Sequence, residues 1–363
     1  MTKQIKLLLI ILTITVVCKA QNSFSLIDKW LQDNIHEIGG RGVIMVWKDG
    51  KVLYSHAENR LNVRERMGIK GFARKKGKDE IEELQDFTQS SQKPIASCSK
   101  WLSAALIMTF VQERKLSLED TIGKFFPIMT QHKKGNISIK DCLSHLTGIK
   151  APALKQSILE QQEFKTTEEA MESIAKMPLE GEHGKSFHYS NVGLQIVGAI
   201  VEKITGQPFE ALFQQRIAIP CEMRNTTFGT KVVASPSGGA ISNAEDYLQF
   251  LSMLLNSGIY KGVKVLNEDA VIAMQQNYAR DATVAFTPDE ADNWGYGFGE
   301  WVMEEGTNRA NALSSPGLLG TFPWVDNKLG YAAILFTTNL HIKGRNERYT
   351  QLKWIVDKAI GVR

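Results

Sequence analysis

Ser97-Cys98-Ser99-Lys100 runs without a break into Trp101-Leu102-Ser103-Ala104-Ala105-Leu106-Ile107-Met108, and the reading of this stretch decides the fold. The Ser-x-x-Lys spacing by itself selects nothing, because the chain repeats it at Ser90/Lys93 and Ser173/Lys176. Proline separates the three. Pro94 follows Lys93 and disfavours helix there, and Pro178 closes the segment after Lys176, whereas Trp101–Arg114 contains neither Gly nor Pro. Ser97 is therefore expected to open a helix. Leu102, Ala105, Leu106, Ile107, Phe110 and Val111 make that helix apolar nearly all round, so it belongs in the middle of the protein with its start facing a cleft.

Side chains three apart share a helix face, so the Lys100 amine reaches the Ser97 hydroxyl with no loop to hold it. Burial at the end of an apolar helix lowers a lysine pKa and lets the neutral amine accept the serine proton near neutral pH. Unpaired N–H groups at the helix start favour the oxyanion of acyl transfer. The alternative is a Ser N-cap and a snorkelling Lys on a core helix, which the spacing alone leaves open.

A second segment, Phe187-His188-Tyr189-Ser190-Asn191, precedes the apolar run Val192–Ile204. Two apart in an extended loop, Tyr189 and Asn191 present their side chains to one side. The phenol can relay a proton, and the Asn191 amide can hydrogen-bond both Lys100 and a substrate amide. Taken alone, Tyr-Ser-Asn before a helix is more often a turn and cap.

Together the two segments resemble the serine β-lactamase and penicillin-binding-protein superfamily, in particular its class C-like branch of esterases, D-aminopeptidases and related serine hydrolases. The likeness runs from about Gly42 to about Leu340. It includes Leu143-Ser144-His145-Leu146-Thr147-Gly148, close to that branch's L-S-H-T-S-G, and Gly238-Gly239-Ala240-Ile241-Ser242, close to its G-G-x-x-S. The resemblance implies Ser97 as nucleophile, Lys100 as base, Tyr189 as proton shuttle and Asn191 as hydrogen-bonding partner, with His145 in a packing role. It also implies an α+β, β-lactamase/transpeptidase-like fold. Its antiparallel sheet is built from both chain ends and flanked by helices, beside a helical lobe. On that plan residues 21–363 form one catalytic domain, with an α/β lobe of about 21–96 and 235–363 and a helical lobe of about 97–234.

Near the C-terminus the branch usually carries Lys or His, a small residue and Gly; here the equivalent is Ser315-Pro316-Gly317-Leu318-Leu319-Gly320. Gly317 permits close approach, and the Leu318 N–H can pair with that of Ser97 as an oxyanion hole. Ser315 supplies no cation. A charged hydrogen bond contributes about 1.5 to 3 kcal/mol, so recognition of carboxylate-bearing substrates falls by roughly 10- to 150-fold unless another cation, from Arg74–Lys78 or Lys185, compensates.

The amino-terminal residues add a different kind of signal. Lys3 and Lys6, the apolar Leu7–Val17 and the small Ala20 fit a secretory signal peptide over 1–20, too short to span a bilayer. Cleavage after Ala20 is expected, giving an exported, periplasmic or secreted protein; a lipoprotein anchored through Cys18 is disfavoured by the bulky Val17. Residues 1–20 carry three lysines and no acid, so 43 basic residues fall to 40 against 39 acidic. That near-neutral balance points to no nucleic acid and no polybasic membrane patch. Cys98, Cys142 and Cys221 remain, an odd number that implies no disulfide framework. No metal-ligand spacing appears at His183 or His188, and no cofactor or obligate protein partner is expected.

With 363 residues, 43% of them hydrophobic, the chain can bury a large core. Val43–Trp47 and Lys51–His56 form a hairpin through Lys48-Asp49-Gly50, and Phe322–Val325 and Tyr331–Phe336 form a second. Ser242-Asn243-Ala244-Glu245 reads as a capping box for a helix over Asp246–Asn256, and Arg348–Ile360 as a closing helix. Residues 57–90 read as a solvated loop with a short helix. The E-x-x-L-N pattern at Glu58–Asn62 lies ahead of the nucleophile and reads as chance. The function these residues suggest is an exported serine hydrolase. It would cleave a small ester, an amide or a short peptide through a Ser97 acyl-enzyme, esterase-like and weak on β-lactams. Acyl transfer at the same site, or a penicillin-binding-type peptidase or sensor that acylates without turnover, are the alternatives.

Overall fold

The computed structural model describes residues 24–152, 164–291 and 293–361. The expected signal peptide, its cleavage site and Cys18 lie outside the described residues. Among those described, no helix is long and apolar enough to cross a membrane.

Seven strands make the main sheet: β1 (Arg41–Lys48), β2 (Lys51–Asn59), β3 (Gly295–Tyr296), β4 (Trp301–Glu304), β5 (Ala312–Ser314), β6 (Phe322–Asp326) and β7 (Tyr331–Thr337). Their spatial order is β2-β1-β7-β6-β5-β4-β3, with every neighbouring pair antiparallel. Asp49 (φ 51°) and Gly50 (φ 81°) both take the left-handed conformation that a tight hairpin demands, which is why Asp-Gly sits between β1 and β2. The two chain ends meet in the middle of the sheet, where β1 pairs with β7 from Gly42↔Thr337 to Lys48↔Tyr331.

The helices used below are α1 (24–34), α2 (Val63–Lys76), α3 (Ser99–Gln112), α4 (Val192–Thr205), α5 (Ala244–Leu255) and α6 (Arg345–Gly361). Side chains alternate across a strand, and β1 uses both faces. Ile44 and Val46 pack with Trp30, Leu31, Leu352 and Val356 of α1 and α6. Val43 and Met45 join the larger core with Tyr247 and Leu251 of α5 and the buried residues of α3. Leu352, Ile355, Val356 and Ala359 of α6 are buried on one face, as their spacing predicts. Lys353 on the same helix is also buried, donating to Asp326 Oδ2 at 2.8 Å and Asp357 Oδ2 at 2.9 Å.

Two local readings are corrected. Residues 57–90 are mostly helical, because Asn62 and Glu65 form a reciprocal cap. The Asn62 side chain accepts the Glu65 N–H at 2.9 Å, Glu65 accepts the Asn62 N–H at 2.7 Å, and Gly77 (φ 65°) closes α2. Asn62 of the E-x-x-L-N pattern is thus a helix cap. At α5 the cap is Asn243, accepting the Asp246 N–H at 2.7 Å, while the Ser242 hydroxyl pairs with that of Thr226 at 2.7 Å.

Candidate active site

Ser97 lies in a single 3₁₀ turn, Ala96–Cys98, one step ahead of α3, which starts at Ser99. The cap of α3 is Cys98 with no side-chain cap bond, so the Ser97 hydroxyl is not consumed as an N-cap. Ala96 holds φ 47°, a left-handed conformation that costs a non-glycine residue about 1 to 2 kcal/mol. Contacts on every side hold the turn in place. The Ile95 N–H donates to Ala240 O at 3.0 Å, the Ala240 N–H to Ser99 Oγ at 3.1 Å, and the Tyr247 hydroxyl to Cys98 O at 2.8 Å. The Gly238–Ser242 segment is therefore the clamp on the serine turn. The Cys98 thiol points away, 3.6 Å from Thr321 O, and burial pushes its pKa up.

Ser99 through Phe110 are buried, so α3 is enclosed all round as its composition predicts. Lys100 is buried with it, 1% exposed. Its Nζ lies 3.3 Å from Ser97 Oγ, 3.0 Å from Asn191 Oδ1 and 2.9 Å from Ser237 O. Burial lowers its pKa to about 7, with the neighbouring Cys98 opposing weakly. A neutral amine has two N–H donors and one lone pair. The Asn191 and Ser237 oxygens accept only, so they take the two donors and leave the lone pair for the Ser97 hydroxyl.

Tyr189 and Asn191 do converge on Lys100. The Tyr189 ring centroid is 5.0 Å from Lys100 Nζ, and burial drives the phenol well above its ordinary pKa while a hydrogen bond to Ser97 opposes this. Tyr189 is therefore a neutral hydrogen-bonding group at neutral pH. Asn191 occupies the cap of α4 without capping it, which frees its amide for Lys100. His145 is buried with Nε2 3.0 Å from the Tyr296 hydroxyl, and burial holds its pKa well below the usual imidazole value. It packs edge-on against Tyr189 at 4.8 Å between centroids, as a positioning residue would.

The Ser315–Gly320 segment packs directly on the serine turn. A Cβ on Gly317 would sit 2.4 Å from Ile95 O and 3.1 Å from Cys98 Sγ, so only glycine fits. The Gly320 N–H donates to Gly317 O at 2.8 Å, fixing the peptide that carries the Leu318 N–H. Ser315 is placed differently from the pocket-facing position expected of it. It is 2% exposed, and its hydroxyl donates to Gly299 O at 2.9 Å, with Ser97 O at 3.4 Å. Ser315→Lys would thus break this inward bond before it could offer a cation to a ligand. Lys185, the other cation considered, is 72% exposed and paired with Glu182, and Arg74 pairs with Glu80 on an exposed helix.

A cavity of about 400 Å³ opens on Ser97, Tyr189, Asn191 and Leu318, walled by Trp301, Phe286, Pro152, Pro288 and Pro316. Sequence reasoning missed Ser237, whose carbonyl carries no chemical signature, and Trp301, Phe286 and Glu290, which reach the cavity from remote loops and β4. Gly299 shows its role only in three dimensions: at φ 76°, a Cβ there would lie 2.4 Å from Lys100 O.

Residues 27–356 match the Beta-lactamase family model. A candidate β-lactamase from Bacteroides dorei superposes with a TM-score of 0.75 at 25% identity, covering 93% of this chain and 99% of that one. EstCE1, a hydrolase with promiscuous acyltransferase activity, superposes with a TM-score of 0.71 at 20% identity, covering 94% and 99%. The N-acetylmuramyl-L-alanine amidase of Bacillus subtilis is 21% identical over 378 residues, 87% of this chain and 80% of that protein. The match covers most of the chain, and the chain belongs to the beta-lactamase family, among its β-lactamase-like serine hydrolases.

Proposed function

We propose that this protein hydrolyses an ester or amide that carries no carboxylate, through an acyl-enzyme on Ser97. The observation that carries the reading is the buried Lys100 amine, 3.3 Å from Ser97 Oγ with its pKa lowered to about 7. Neutral Lys100 takes the Ser97 proton as Oγ adds to the substrate carbonyl, and the N–H groups of Ser97 and Leu318 receive the oxyanion. The Tyr189 phenol, hydrogen-bonded to Ser97, passes the proton on to the leaving group, and water then attacks the acyl-enzyme by the same relay. The apolar cavity walls also support transfer to an alcohol acceptor, because they give such a group a place to dock ahead of water. Export, read from residues 1–20, is part of the proposal.

Burying a carboxylate against walls of this kind is costly, so an esterase is the favoured activity over a β-lactamase. The test compares kcat/KM for p-nitrophenyl butyrate with that for a chromogenic cephalosporin across pH. Expected is ester turnover that rises with pH through about 7 and then holds, because Lys100 must be neutral and Tyr189 stays protonated. Cephalosporin turnover exceeding ester turnover, or an ester rate indifferent to pH in that range, refutes the reading.

A further inference from the structure

We propose that the cavity selects substrates bearing a cationic group, an ammonium or quaternary ammonium, which Glu290 receives; this rests on the hydrolase reading above. Glu290 is the one acidic side chain among the described residues that line the cavity. Its carboxylate is 21% exposed, and its only assigned partner among the described residues is Arg345, whose Nη1 meets Glu290 Oε1 at a long 3.3 Å. Among the described residues nothing meets its second carboxylate oxygen, which can receive a ligand.

Arg345 does not cancel this selectivity by serving an anion itself. It is 9% exposed and does not line the cavity. Its Nη2 is committed to backbone, donating to Leu318 O at 2.5 Å, Leu340 O at 3.1 Å and Asn339 O at 3.3 Å. The guanidinium thus braces the turn behind Glu290 and faces the carbonyls. His188, which also lines the wall, turns its Nδ1 to Glu180. Lys100 does not line the cavity, and its donors are given to Asn191 and Ser237. Among the described residues of the wall none offers a free positive charge, while Glu290 Oε2 has no assigned partner.

The remaining walls suit a cation as well. Phe286, 48% exposed, presents an aromatic ring whose face attracts ammonium groups, and the buried Trp301 lines the same wall. At the cavity where the family resemblance implies a cation for a substrate carboxylate, this chain has a hydroxyl turned inward and a carboxylate turned outward. The preferred charge is reversed.

The cation could belong to either side of the scissile bond, and matched substrate pairs separate the two. On the acyl side, phenyl 4-(trimethylammonio)butyrate is compared with phenyl 5,5-dimethylhexanoate; on the leaving-group side, acetylthiocholine with S-(3,3-dimethylbutyl) thioacetate. Expected is a kcat/KM ratio favouring the cationic member of at least one pair. Glu290→Gln should lower that ratio, by roughly 10- to 100-fold for an ammonium substrate, the range of a lost charge-assisted hydrogen bond, and by less for the quaternary groups of these pairs, which have no N–H to donate. Stoichiometric fluorophosphonate labelling of the variant checks that it is folded. Tetramethylammonium should also inhibit wild-type hydrolysis of the neutral esters competitively, a measurement that needs no variant. Turnover of neutral esters with no cationic preference in either pair, or a ratio unmoved by Glu290→Gln, overturns this proposal alone. No turnover of any ester overturns the hydrolase reading beneath it.

Discussion

Replacing Lys100 by Met should slow hydrolysis by about 100- to 10,000-fold, and its effect on stability should depend strongly on pH. The amine binds its proton more weakly in the folded chain, at a pKa of about 7, than in the unfolded chain at 10.5. Between these values the unfolded chain holds more protons, so the stability of the wild type rises with pH across that window and the burden of burying lysine shrinks. That burden is about 4 kcal/mol at about pH 7 and about 1 kcal/mol at about pH 9.5. Lys100→Met removes it at both. It also leaves Asn191 Oδ1 and Ser237 O without their donor, a loss common to the two conditions. Urea unfolding of wild type and variant at each pH isolates the difference. The variant should gain about 3 kcal/mol on the wild type at the lower pH relative to the higher. An identical stability difference at both would mean that the Lys100 pKa is not depressed, and the proton-acceptor role would lose its physical basis.

Three further outcomes follow from the same geometry. Lys100→Ala and Tyr189→Phe should each slow acylation by about 100- to 10,000-fold, and the double variant should lose far less than the product, since both serve one proton transfer; multiplicative losses in stopped-flow acylation would assign them independent roles. Gly317→Ala forces a Cβ to within 2.4 Å of Ile95 O and should displace the turn from Ser97. A displacement of that kind lowers kcat/KM by about 100-fold, with KM little changed; wild-type kinetics would show that the turn is soft. Lys353→Ala removes the ammonium from Asp326 (3% exposed) and Asp357 and should destabilise by about 3 to 5 kcal/mol in urea unfolding; a change under 1 kcal/mol would show that these carboxylates find other partners.

What was legible in the sequence came from short-range physics. Helical spacing placed Lys100 beside Ser97, the hairpin chemistry of Asp49-Gly50 placed β1 against β2, and the unbroken apolar run identified α3 as a buried helix. The Tyr189 and Asn191 pair was legible through its order before α4. Helix α2 was missed because its exposed residues show no apolar period, although its cap at Asn62/Glu65 and its terminator Gly77 were present to be read. Ser315 was misplaced because a motif position does not fix a rotamer; the Gly299 carbonyl that holds its hydroxyl is 16 residues away in sequence. Glu290 and Arg345 meet across 55 residues, and no local pattern brings them together.

The most direct measurement is the site of covalent modification. A fluorophosphonate probe should label the protein once per chain, tandem mass spectrometry should place the adduct on Ser97, and Ser97→Ala should remove both the label and ester hydrolysis. Labelling at Ser90, Ser173 or Ser190 in place of Ser97, or undiminished hydrolysis by Ser97→Ala, would contradict the claim that this serine turn is the reacting centre.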